Sequence, residues 1–279
     1  MIKLTVPFEN DTGNIVRKLA RKSLKSEKRR NLMVVIAVAL ASCLICFSIV
    51  MALSTRQIEK NHVEDTYEAV YTRITEEDVS TLKGLDDFSR VGEYYMLAVE
   101  PAEQGYNASY IYCDDETMYI ARDQMRLLEG RLPQKEDEVL VSRYFLSNYG
   151  ADAGIGEKVM LSSESFHGEY TVTGIMEGYK EKEVNGTSIL LSKEALKGWS
   201  GYDPADYRAY VHFKNEQQMD ETELTARSRE IAKEYQLEMP IMNLSYMKFY
   251  KQPVNVSMLA LVAGIAVLVI IGGYVVIQS

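Results

Sequence analysis

The residues able to do chemistry are few and scattered. Cys43 and Cys46 have the C-x-x-C spacing of a redox pair or of half a zinc site, but zinc needs further cysteine or histidine ligands. The histidines His62, His167 and His212 stand far apart in the chain. Neither H-E-x-x-H nor the phosphate loop G-x-x-x-x-G-K-[ST] occurs, so ATP hydrolysis by that route is not expected. Gly154–Val159 (GIGEKV) lacks the third glycine of a dinucleotide fingerprint and leads toward a strand. Asp114, Asp115 and Glu116 offer carboxylates of the kind calcium takes, although such a run is more often a solvated turn. Asn107 and Asn185 open glycosylation sequons, which act only in a eukaryotic secretory route, whereas the chain reads as bacterial. No catalytic residue, cofactor or metal is assigned, and the protein is read as not itself an enzyme.

Aromatic residues are denser than reactive ones. Tyr94, Tyr95, Tyr106, Tyr110, Tyr112 and Tyr119 concentrate in one stretch. They are expected to be strand surface and core; the sharper alternative is a patch that meets a peptide or lipid. Trp199 is expected as an exposed loop contact.

Two apolar runs must position everything else. Leu32–Leu53 and Val254–Ile277 contain no charged residue. Each matches the roughly 20 residues that a helix needs to cross about 30 Å of hydrocarbon. Residues 1–31 carry nine basic and three acidic side chains, and residues 54–253 carry 22 basic and 37 acidic ones. The positive-inside bias therefore places the N-terminus in the cytoplasm and residues of about 54–253 outside a plasma membrane. A cleaved signal peptide is the competing reading of the first run, but its apolar core would be shorter and nearer the N-terminus. The acidic outer segment excludes nucleic acid as its partner. It holds one cysteine, Cys113, so no internal disulfide can staple it. Its length is ample for a packed core.

The arm before the first run has a pattern of its own. Ile15, Val16, Leu19, Ser23 and Leu24 recur at helical spacing between Arg17, Lys18, Arg21, Lys22 and Lys25. This predicts a basic amphipathic helix, N-capped by Asn14, lying on membrane lipids. Ile15, Arg17, Leu19, Arg21, Lys22 and Leu24 are the candidate residues for coupling to a cytoplasmic partner. The plainer reading is a solvated basic tail that only sets topology. Beyond Leu53 the helix is expected to continue as a stalk to about residue 67.

The outer segment reads as α+β. A β-α-β unit is predicted at residues 68–100, with Thr75 and Asp78 as a capping box and Gly84 as C-cap. A second unit is predicted at residues 207–253, closing with a strand over Leu237–Leu244. Between them, residues 101–206 read mostly as short strands, Thr117–Ala121 among them, with short helices at Ser142–Tyr149 and Ser192–Lys197. The fold class is thus a membrane protein: two transmembrane helices (residues 32–54 and 254–279) flank a discontinuous β-α-β, porter-like subdomain (68–100 and 207–253). A β-rich subdomain (101–206) is inserted in it.

Three stretches in the inserted region resemble the extracytoplasmic core domain of MacB-like, FtsX-like ABC transporter permeases. Leu127–Ser142 (LLEGRLPQKEDEVLVS) has the family's G-R-x-P turn and E-V-x-V-S strand in Gly130, Arg131, Pro133, Glu138 and Ser142. Gly154–Val159, with Gly154 and Gly156, is similar to its glycine turn into a strand, and Tyr170–Ile175 (YTVTGI), with Gly174, to its V-x-G-I strand. The basic stretch Leu19–Asn31 before an apolar span fits as well. These glycines and prolines are turn devices and not catalytic ones. The resemblance implies a permease subunit that works as a dimer with a separate cytoplasmic ABC ATPase and handles peptides, antibiotics, lipoproteins or lipids. It also implies four spans, so a chain with two that ends at Ser279 is expected to be the front part of a longer protein. Other classes with two spans around an α+β domain are a receptor-type sensor and a regulator of cell-wall hydrolases. The basic arm, the ordered motifs and Gly264, Gly272 and Gly273 in the second run favour the permease.

Overall fold

A computed structural model describes residues 13–26, 28–103, 105–122, 124–149, 153–178, 181, 185–251 and 264–266. The chain divides into two compact units, Met1–Gln57 with Val254–Ser279, and Ile58–Pro253.

The first unit begins with helix α1 (Gly13–Ser26), which starts one residue before the expected cap, Asn14. Helix α2 (Lys28–Val63) follows. Its backbone is helical through the whole uncharged run Leu32–Leu53, and side chains such as Val35, Leu40, Phe47 and Leu53 are exposed. Among the described residues no helix is long and apolar enough to cross a membrane. The second apolar run lies outside the described residues except for 264–266.

The second unit is built on one mixed sheet. Its strands are β1 (Ala69–Ile74), β2 (Phe88–Pro101), β3 (Asn107–Cys113), β4 (Met125–Gly130), β5 (Glu138–Ser142), β6 (Lys158–Ser162), β7 (His167–Gly178), β8 (Gly186–Leu191), β9 (Tyr207–Phe213) and β10 (Ile241–Met242). The helices are α3 (Glu76–Lys83), α4 (Asp115–Ile120), α5 (Arg143–Asn148), α6 (Lys193–Gly198), α7 (Glu221–Glu234) and a single turn, α8 (Leu244–Tyr246), which runs into a π-helical turn, Met247–Lys251. The order across the sheet is β10-β1-β9-β2-β3-β8-β5-β7-β4, with β6 also on β7. The pairs β3–β8 and β5–β7 are parallel and the others antiparallel.

Both faces of the sheet are buried, so the strands alternate between two apolar layers. Tyr71, Tyr95, Tyr110, Val139, Val141 and Val211 enter one layer, where Val79 and Leu82 of α3, Phe145 of α5, Leu196 of α6 and Leu224 and Ile231 of α7 cover them. Val70, Tyr94, Ile111, Leu140 and Tyr210 enter the other, covered by Met118 and Ile120 of α4. Each large side chain so buried contributes roughly 1.5–3 kcal/mol.

Several elements differ from the sequence reading, each for a local reason. Thr117–Ala121 is not a strand: the Asp114 side chain accepts the Thr117 N–H and starts α4 there. The strand expected over Leu237–Leu244 pairs only at Ile241–Met242, because Pro240 has no N–H to donate. The stalk helix stops at Val63 and Asp65 takes a left-handed φ of 52°. The capping box at Thr75 and Asp78 forms, with bonds of 2.8 and 3.1 Å. Helix α6 runs one residue further than Lys197, to Gly198, and Trp199 is its C-cap.

One close approach fixes the far edge of the sheet. Gly130 and Gly174 face each other across β4–β7. A Cβ on Gly174 would meet the Arg131 carbonyl at 2.7 Å and Leu140 at 3.0 Å, and a Cβ on Gly130 would meet Gly174 Cα at 2.7 Å. We expect Gly174→Ala to lower stability by about 1–3 kcal/mol, as overpacking does, measured as the urea midpoint; an unchanged midpoint would contradict the close approach.

Candidate functional site

The family-like residues of the sequence converge on strand β7. Glu138 opens β5 beside Thr171 of β7, and its buried carboxylate accepts both guanidinium nitrogens of Arg131, at 2.8 and 2.7 Å. The Gln134 N–H, just past Pro133, adds a bond of 2.8 Å, and the Lys135 N–H one of 3.3 Å. The G-R-x-P…E spacing thus folds a loop around one carboxylate. The Arg131 bond, against the opposing effect of burial, holds Glu138 down at about 2. Gly156 takes φ 88° and donates its N–H to Val172 of β7, while Gly154 keeps an ordinary φ and bonds Glu157, so only one of the two glycines is conformationally required. Ser142 caps α5 and lies 2.8 Å from the Thr187 hydroxyl. The Arg131, Gln134 and Lys135 groups all bond within the chain, to Glu138.

A second cluster, which the sequence did not announce, lies where β3 ends. Asp114 Oδ1 accepts the Glu93 N–H and the Thr117 N–H, both at 2.9 Å, and Asp114 Oδ2 meets Lys83 Nζ at 2.9 Å. Glu93, in β2 and 8% exposed at its side chain, takes Lys193 Nζ at 2.5 Å. Lys193 also meets Glu76 at 2.7 Å, and Lys197 meets the other Glu76 oxygen at 3.0 Å. Burial disfavours the Lys193 charge, but its hydrogen bonds to Glu76 and Glu93 prevail and raise its pKa. The signal in the sequence was the run Asp114–Glu116, whose first carboxylate is an N-cap and which pairs with Lys83 and Arg90. Among the described residues no group of ligands could hold a metal ion.

A third buried pair sits where the chain enters the sheet. Glu68, fully buried, accepts from the Phe213 N–H and contacts His212 Nδ1, both at 2.7 Å. Glu216 also acts on both groups, and the Thr66 backbone bonds His212. Burial opposes the imidazolium, yet the Glu68 bond and charge raise His212 above its ordinary value. Burial raises Glu68 as well, against the His212 bond.

The tyrosine stretch is core: Tyr94, Tyr95, Tyr106 and Tyr110 are buried, and only Tyr119 is exposed, between Arg90 and Arg122 at 4.4 and 5.4 Å. Trp199 is not a free loop contact either; it is half-buried, 6.2 Å from the ring of Phe166. In the arm, Ile15, Arg17, Leu19, Arg21 and Lys22 are all exposed on α1, and Leu24 belongs to the same helix. The arm and the β7 cluster belong to separate units.

The profile of the MacB-like periplasmic core domain matches residues 32–229. The chain belongs to that family. The match begins at the first residue of the apolar run in α2 and ends inside α7, so the family pattern includes the helix that leads into the sheet. The fold is similar to the extracellular domain of the noncanonic ABC-type transporter YknZ from Gram-positive bacteria, at 14% identity and TM-score 0.45, over 64% of this chain and 100% of that one. It is similar also to the periplasmic region of MacB from Actinobacillus actinomycetemcomitans, at 9% identity and TM-score 0.46, over 67% and 92%. Comparison with curated proteins gives no match.

Two pH dependences follow from the carboxylates. Glu138 is depressed in the folded chain, so its contribution is present above the ordinary carboxylate value and is lost as pH falls toward about 2. The stability gap between the natural chain and Arg131→Met is therefore expected in full at neutral pH and to shrink below about pH 4; urea midpoints across that range measure it. Glu68 and His212 are both raised, so both bind protons more tightly when folded. Their contribution is greatest at low pH, and the histidine's share is lost as pH rises from about 6.5 through its raised value. His212→Gln is expected to flatten the loss of stability as pH rises above about 6.5, read from urea midpoints.

Proposed function

We propose that this chain is a permease subunit of an ABC-type exporter or mechanotransmission complex in the plasma membrane. The observation that carries the reading is the family match that runs from the apolar part of α2 through the sheet. The sequence supports this with the 22 uncharged residues Leu32–Leu53, a run that as a helix would measure about 33 Å at 1.5 Å per residue, the order of the hydrocarbon core. It is the first span in this reading, Val254–Ile277 is the second, the arm is cytoplasmic, and residues 54–253 are extracytoplasmic.

Within the outer part, the strands of the two flanking segments (β10, β1, β9, β2) occupy one half of the sheet and those of 101–206 the other. This supports a discontinuous subdomain with an inserted one. ATP hydrolysis belongs to a separate cytoplasmic ABC ATPase, which meets the exposed basic and apolar faces of α1. A second copy of the chain completes the complex, and the outer domain acts on a peptide, antibiotic, lipoprotein or lipid without chemistry of its own.

Two measurements test this. A membrane-impermeant maleimide is expected to label Glu164→Cys in intact cells and to leave Lys18→Cys unlabelled; the reverse pattern removes the topology. The full chain, co-expressed with an ABC ATPase encoded next to it, is expected to retain the ATPase through purification. Arg21→Glu with Lys22→Glu is expected to lose about tenfold of it, as reversed charges oppose docking. A correctly oriented chain that holds no ATPase points instead to a sensor.

A further inference from the structure

Helix α4 holds an unusual place. Among the described residues it alone covers the second layer of the sheet, while α3, α5, α6 and α7 cover the first. Its C-terminal end grips the root of α2. Arg122 donates to the Glu64 carbonyl, just past the last turn of α2, and pairs with Asp65 at 3.5 Å. The Tyr67 N–H donates to the Ile120 carbonyl at 3.0 Å, and Gln124 donates to the Tyr67 hydroxyl at 2.5 Å. Its N-terminal end is fixed to Asp114, and through Asp114 and Glu93 to Lys83 and Lys193. Lys193 belongs to α6, which follows β8 in the far half of the sheet and lies on the other face.

The seat of α4 is equally defined. A Cβ on Gly92 of β2 would fall 2.6 Å from both Cα and N of Thr117, so the helix backbone rests directly on the strand. The Thr117 hydroxyl lies 2.9 Å from the Glu93 carbonyl. The six-residue helix is thus held at both ends by the residues that flank it, Asp114 before it and Arg122 and Gln124 after it.

We propose that α4 is a coupling element: displacement of the α2 root is delivered through Arg122, α4 and Asp114 to Lys193 on α6, and so across the sheet to its far half. The proposal rests on the permease reading for its purpose, as the part that would carry a movement of the first span into the outer domain. Such coupling is reciprocal, so disturbing either end loosens the other.

Amide hydrogen exchange on the full chain in lipid nanodiscs, with no ATPase present, tests it. Arg122→Gln is expected to speed exchange about fivefold in α4 and in residues 193–198, and Lys193→Gln to do so at Tyr67, whose N–H it does not touch. Arg126→Gln, which removes an exposed pair with Glu177 of similar charge, is the control and leaves both regions unchanged. Gly92→Ala unseats the helix and is expected to loosen both ends at once; if it does not fold, the Arg122 and Lys193 variants still decide. Exchange changes confined to residues 64–67, or spread evenly over the sheet, overturn the proposal. Because no ATPase takes part, that failure leaves the permease reading standing, and loss of ATPase association in the earlier test leaves the coupling standing.

Discussion

One strand has to serve both halves of the sheet. Residues Phe88 to Tyr95 of β2 pair with β9, and residues Tyr94 to Pro101 pair with β3 on its other side. The two ladders overlap only at Tyr94 and Tyr95, and a bulge follows between Met96 and Ala98. Beyond the end of each neighbour an edge of β2 would be left with open backbone groups, which a buried sheet cannot tolerate. Asp114 settles the edge on the β3 side. Its side chain takes the Glu93 N–H, its own N–H goes to the Glu93 carbonyl, and α4 begins at the same residue. The charged cluster at this point is therefore the price of stopping a strand beside a longer one, and Lys83 and Lys193 neutralise it there.

Much of this was legible from short-range signals. The capping box at Thr75 and Asp78, the short helices at Ser142 and Ser192, and the strands β5 and β7 rest on local periodicity and turn residues, and they stand where the sequence put them. The misreading of Thr117–Ala121 has a different origin. Thr, Met, Tyr and Ile at those positions suit a strand by type, and the Asp114 N-cap together with the close seat on Gly92, 25 residues before Thr117, makes a helix the better fit. The Gly92 contact cannot be read from either segment alone. The same holds for Glu68 and His212, which are 144 residues apart and meet because β1 and β9 are neighbours.

The motif that pointed to the family proves to be mechanics of the backbone. Gly130 and Gly174 let β4 approach β7, Arg131 and two N–H groups close a loop on Glu138, and Ser142 ends β5 by starting α5. These bonds all run within the chain and shape the loop and edge around β7.

Cys113 ends β3 in the second apolar layer, fully buried, with burial pushing its thiol well above the usual cysteine range. A protonated, enclosed sulfur is a poor nucleophile and a poor target for oxidants. In an oxidising space outside the cell, neighbouring copies of this domain would not become covalently linked while they stay folded. The sulfur becomes reactive only when the layer under α4 opens, so its rate of modification reports that opening.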